Sequence, residues 1–291
     1  MKSLKIILLT AIVVLASCGT SRTVPITGRK QNLIVSDEQL LSLSTQQYSE
    51  YMKTAKKSSN TKNTAMVQRV GKNIATAVEK YLKDNGMANE LSGYKWEFNL
   101  VQDKSVNAFC MPGGKIVVYE GLLPVTQTET ALAIVVGHEV AHAVAKHSAE
   151  QMSKQYKQQI GLEIGSSILS AVGMDQNTSS LVDWATKQGL QLRNLKYSRD
   201  HEYEADHMGL IFAAMAGYNP QEAITFWQRM SGGKGNQDDF LSDHPSDAKR
   251  IAALQRDMPE ALRYYEASKP KTLRISTSSK TKTTTTTKRR K

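Results

Sequence analysis

Two cysteines in 291 residues leave no disulfide framework, because a lipid on Cys18 would leave Cys110 without an internal partner. The fold has to be held by its core. Long apolar runs are also missing. Ile6 to Leu15 falls far short of the ~20 residues a spanning helix needs, and Ile160 to Met174, read as buried or as a flap, is interrupted by Gly161, Glu163, Gly165 and Gly173. Acids are absent from residues 269–291, which carry nine Lys or Arg; with two Lys in the first 17 residues, this accounts for the whole net charge of +11. Residues 18–268 are therefore neutral, which argues against a cationic nucleic-acid-binding face.

What is present begins with an export pattern. Lys2 and Lys5 precede the short apolar stretch, and Leu15-Ala16-Ser17-Cys18 closes it in a form that resembles a bacterial lipobox. The predicted organisation is a lipoprotein signal peptide at 1–17, a lipidated N-terminus and linker at 18–35, a catalytic body at 36–268 and a basic Thr/Lys-rich disordered tail at 269–291. The tail is read as a solvated extension or as a contact for anionic lipid or envelope polysaccharide. With 40% hydrophobic residues, the body can bury a sizeable core.

Helical periodicity dominates that body. Ser36 and Gln39 form a capping box for a helix to about Lys56, and Met66, Val67, Val70, Ile74, Val78 and Leu82 mark a second helix over Thr64 to Lys83. Strand alternation follows at Tyr94 to Leu100, then at Ser105 to Cys110 and Lys115 to Tyr119 around Met111-Pro112-Gly113-Gly114. Later helices are expected over Ser179 to Asn194, from Ser198 to Gly217, after Asn219-Pro220 and from Ser246. The reading is α+β, mostly α-helical, with a small antiparallel sheet packed on the next helix.

That helix, predicted from about Gln127 to Met152 behind a Thr126/Glu129 capping box, contains His138-Glu139-Val140-Ala141-His142. Residues four apart lie one above the other on a helix, so two imidazoles can share one tetrahedral zinc ion while Glu139 serves as general base. A shuffled chain of this composition would show the pattern at roughly 0.6 percent. A third ligand is required. Ala145 and Ser148 break the metzincin pattern, and His147, about 140° round a continuous helix from His142, is read as a surface residue. Glu202 and Asp206, spaced i, i+4, suit a direct ligand and a partner for a ligand histidine's distal nitrogen; His201, Glu204 and His207 compete with them.

Together with Pro25-Ile26-Thr27-Gly28-Arg29-Lys30, Asn107-Ala108-Phe109, Pro112-Gly113-Gly114, Glu202-Tyr203-Glu204-Ala205-Asp206 and His244-Pro245 with Arg250, the pentapeptide resembles the membrane-associated zinc peptidases of the HtpX, BepA, LoiP and Oma type. The layout is most similar to that of the LoiP-like lipoproteins. The resemblance implies a zincin-type gluzincin domain with one Zn2+ per chain, held by His138, His142 and Glu202. It leaves Glu204 unassigned.

The activity implied is endopeptidase cleavage of unfolded or misassembled envelope proteins, at an outer membrane facing the periplasm. The alternative is a chaperone using the same cleft. Asn107, Ala108 and Phe109 are candidates for a substrate-pairing edge strand. His244 is a candidate oxyanion stabiliser or closing fourth ligand, Arg250 an anchor for its loop, a substrate contact or a surface ion-pair partner, and Cys110 a small buried residue.

Overall fold

The computed structural model describes residues 20–164, 178–232, 244 and 248–269. Cys18, the signal segment, Pro245, residues 165–174 of the expected flap and the tail from 270 lie outside them. A hairpin of β1 (Thr20–Thr23) and β2 (Lys30–Leu33) comes first. It is followed by α1 (Asp37–Thr54), whose Ser36/Gln39 capping box is formed, and α2 (Thr61–Asp84). The apolar face of α2, with Val67, Val70, Ile74, Val78 and Leu82, enters the main core.

β3 (Glu97–Val101), β4 (Ala108–Met111) and β5 (Lys115–Tyr119) form a sheet in the order β3-β5-β4. The expected antiparallel sheet is mixed: β4 pairs antiparallel with β5, but β3 pairs parallel with it. Gly113 and Gly114, at φ 84° and 82°, make the reversal that fixes the β4–β5 hairpin. No local signal fixes the direction of β3, which lies on the far edge of β5 and packs under α2.

α3 (Glu129–Val144) runs through the centre, with every residue from Ala131 to Val144 buried. Its cap is Thr128, whose side chain accepts from the Ala131 amide, while Thr126 donates to the Leu123 carbonyl. This corrects the predicted start. The predicted end is corrected too, because Lys146 at φ 54° breaks the helix and a separate helix, α4 (His147–Ile164), follows. α5 (Thr178–Lys187) ends earlier than expected, in a turn that leads to a 3-10 segment at Leu192–Asn194.

α6 (Arg199–Met215), capped by Ser198, packs across α3. A Cβ built on Gly137 would lie 2.7 Å from the Gly209 carbonyl oxygen, and one on Gly209 would lie 2.6 Å from the His138 nitrogen. Two glycines therefore let the helices meet backbone to backbone. α7 (Glu222–Gly232) packs against α3 and against α8 (Ala248–Ser268), which packs on α6. No described helix is long and apolar enough to cross a membrane.

Candidate metal centre

The close α3–α6 crossing brings His138 and His142 against Glu202, and His244 closes on them. His138 Nε2 lies 3.1 Å from His142 Nε2, 3.4 Å from Glu202 Oε2 and 3.2 Å from His244 Nδ1. Glu202 Oε1 lies 3.4 Å from His142 Nε2 and 3.2 Å from His244 Nδ1. A tetrahedral zinc ion with ligands at 2.0–2.1 Å has donor-to-donor edges of about 3.3 Å. The separations among His138, His142 and Glu202, and those of His244 from His138 and Glu202, match such edges. All four residues are buried. Glu139 is 2% exposed, and its Oε1 has no hydrogen-bond partner among the described residues; His244 Nε2 is 3.5 Å away.

The outer contacts hold these donors in place. His138 Nδ1 is 3.0 Å from Asp206 Oδ1, and Arg250 donates at 2.7 Å to both Asp206 oxygens. Arg250 also lies 3.0 Å from Glu202, donates to the His244 carbonyl and stacks 4.0 Å over Trp227. Burial works against the Asp206 charge, yet the Arg250 guanidinium keeps its carboxyl below the ordinary range. Burial also opposes charge on Glu202, which His244, His138 and His142 nevertheless hold well below its usual value. For Glu139, burial dominates and pushes the carboxyl up.

The family model described as Peptidase family M48 matches residues 62–258. The chain belongs to peptidase family M48. It is similar to mitochondrial metalloendopeptidase OMA1 of Schizosaccharomyces pombe, at 34% identity over 187 residues, which is 63% of this chain and 53% of that one. It is similar to OMA1 of Homo sapiens at 30% over 248 residues, covering 83% and 47%. Metalloprotease LoiP of Escherichia coli is 26% identical over 191 residues, covering 64% and 73%. This M48 chain spans about half the length of the OMA1 relatives it matches.

The cluster brings together His138, His142, Glu202, Asp206, His244 and Arg250, with one correction and several additions. Of the readings of Arg250, the structure agrees with the anchor: it is 2% exposed and ties α8 to α6 and to His244. His147 is no surface residue. It is fully buried, with Nδ1 2.8 Å from His142 Nδ1 and Nε2 2.9 Å from Glu204 Oε2. The reason is the break at Lys146, which invalidates an angle measured round one continuous helix. Burial pushes the His147 imidazole down to about 4, so it is neutral near pH 7.

Glu204 accepts from Thr27 and Arg29, which absorbs the Pro25–Lys30 motif into the surroundings of the site. Tyr197, missed in the sequence, stacks on His142 at 4.0 Å; its position next to the helix cap Ser198 was the available signal. Cys110 is buried, as expected. Ala108 and Phe109 lie on β4, an edge of the described sheet, and Asn107 immediately precedes it. The Leu192–Asn194 turn packs against that strand.

Proposed function

We propose that this chain is a zinc-dependent metalloendopeptidase in which His138, His142 and Glu202 hold the metal and Glu139 is the general base. The reading is carried by the tetrahedral donor spacing, with the unpartnered Glu139 oxygen beside it. Zinc held there would supply Lewis acidity and activate water for attack. Glu139, whose Oε1 has no partner among the described residues, would take the proton of the attacking water and return it to the leaving amine. Asp206 orients His138, and Arg250 orients Asp206 while anchoring the backbone at His244.

His244 is read as a closing fourth ligand, because its Nδ1 stands 3.2 Å from both His138 Nε2 and Glu202 Oε1. An extended chain would pair with β4 through Asn107, Ala108 and Phe109, which requires the Leu192–Asn194 turn to move. The Leu15-Ala16-Ser17-Cys18 sequence supports a protein lipid-anchored through Cys18 in the bacterial envelope, and the similarity to a metalloprotease of Escherichia coli supports the bacterial setting. There it would face the periplasm from the outer membrane and remove unfolded or misassembled proteins.

The test is Glu139→Gln, assayed for bound zinc and for casein cleavage. The variant is expected to keep one zinc per chain and to lose cleavage by at least about 100-fold. Cleavage at the wild-type rate would remove Glu139 from the mechanism. Zinc binding without any cleavage by the wild-type protein would favour the chaperone reading.

A further inference from the structure

The two candidate ligand histidines are backed differently. Behind His138 stands a carboxylate held by an arginine, Asp206 and Arg250. Behind His142 stands another histidine, His147, and only then a carboxylate held by an arginine, Glu204 and Arg29. One placement of protons satisfies the second series. A His142 that offers Nε2 to a metal carries its proton on Nδ1 and donates it to His147 Nδ1; His147 then carries its own proton on Nε2 and donates it to Glu204 Oε2.

Glu204 is fixed in turn from the N-terminal hairpin. Thr27 Oγ1 donates at 2.6 Å, Arg29 Nε at 2.9 Å to Oε2 and Arg29 NH2 at 2.7 Å to the same oxygen. The other guanidinium donors reach Glu150 on α4 at 2.7 and 2.8 Å. The same hairpin also caps the metal-centre helix. Arg22 donates to the Val144 carbonyl at 3.3 Å and Gln31 to the Ala145 carbonyl at 2.7 Å, where α3 leaves its last carbonyls unpaired. All these hairpin residues precede the segment matched by the M48 model, which starts at residue 62.

We propose that Arg29, Glu204 and His147 form a hydrogen-bonded relay that orients His142 toward the metal, which makes the N-terminal hairpin a positioning element of the centre. The inference rests on the zinc reading above. His147 and Glu204 touch no reacting atom in it. Their effect passes through the ring orientation and tautomer of His142.

The experiment compares wild-type zinc protein with Glu204→Gln, Arg29→Gln and Thr27→Val, and uses Arg69→Gln, which removes an exposed ion pair with Glu129, as the control. Zinc release into a colorimetric chelator, the visible spectrum of the cobalt-substituted protein and the thermal midpoint are measured for each. Glu204→Gln and Arg29→Gln are expected to release zinc about 10- to 100-fold faster and to shift the cobalt bands, at temperatures where both remain folded. Arg29→Lys should restore part of the retention, and Arg69→Gln should behave as wild type.

Folded variants that release zinc at the wild-type rate with an unchanged cobalt spectrum would overturn the inference and leave the network a structural clamp. If the charged variants do not fold, Thr27→Val, at an exposed position, decides in the same way. A wild-type protein that binds no zinc would overturn the metal reading itself, a result distinct from wild-type binding with unaffected variants.

Discussion

If His244 is the closing fourth ligand proposed above, activity at rest depends on it. An ion bound by all four donors, which lie within 4.8 Å of one another, would be four-coordinate without a position for water, and a catalytic site needs that position. Removing the imidazole while keeping the three remaining donors should therefore open the centre. His244→Ala is expected to raise casein cleavage several-fold with zinc still bound, measured as initial rate at equal zinc content; a fall in rate would instead assign His244 to the oxyanion. At this scale the sequence was most legible where chemistry demands a fixed spacing, as in His138, Glu139, His142, Glu202 and Asp206. It was least legible for His147 and Tyr197, whose places beside His142 depend on a chain break and a helix entry that carry no motif.

Between elements, the centre depends on how closely α3 and α6 approach. Alanine at position 137 would gain about 0.8–1 kcal/mol of helix propensity over glycine, but its Cβ would stand 2.7 Å from the Gly209 carbonyl oxygen, a backbone atom that cannot swing aside. Overpacking of this kind costs about 1–3 kcal/mol. Gly137→Ala is therefore expected to lower stability by up to about 2 kcal/mol net and to weaken zinc retention, because separating the helices moves Glu202 away from both histidines. Urea unfolding and zinc titration check this, and a variant more stable than wild type with intact zinc binding would show that the contact does not limit the approach.

Helix existence and type could be read from periodicity, and the Ser36 and Ser198 starts had side chains that announced them. The end of α3 did not, because Lys146 takes a left-handed φ without glycine, and the carbonyls exposed there are capped by Arg22 and Gln31, more than 110 residues earlier in the chain. The direction of β3 was hidden for a related reason: turn residues specify a hairpin, but not which edge of it a third strand joins.

For the molecule as a whole, the hairpin is joined to α4 and α6 by Arg29 between two carboxylates, Glu150 and Glu204, with Gln31 and Thr27 beside it, and that joint sets an acid limit. Burial raises the Glu204 pKa, but hydrogen bonds from His147, Arg29 and Thr27 outweigh it and hold the carboxyl at about 2, against 4.5 for the free group. Glu150 is lowered in the same direction against its own burial, by His201, Arg29 and Gln31. A folded pKa below the unfolded one means that folding releases protons, so this contribution is complete above about pH 4.5 and is lost as pH falls through about 2. Glu204 alone accounts for at most about 3 kcal/mol at 1.36 kcal/mol per unit. In zinc-free protein, the stability advantage of wild type over Glu204→Gln should thus be constant from pH 7 to about 5, shrink below that and approach zero near pH 2, as followed by urea unfolding at each pH. An advantage that persists unchanged down to pH 2 would mean that Glu204 is held by packing and not by its charge, and that the hairpin is fastened to the body elsewhere.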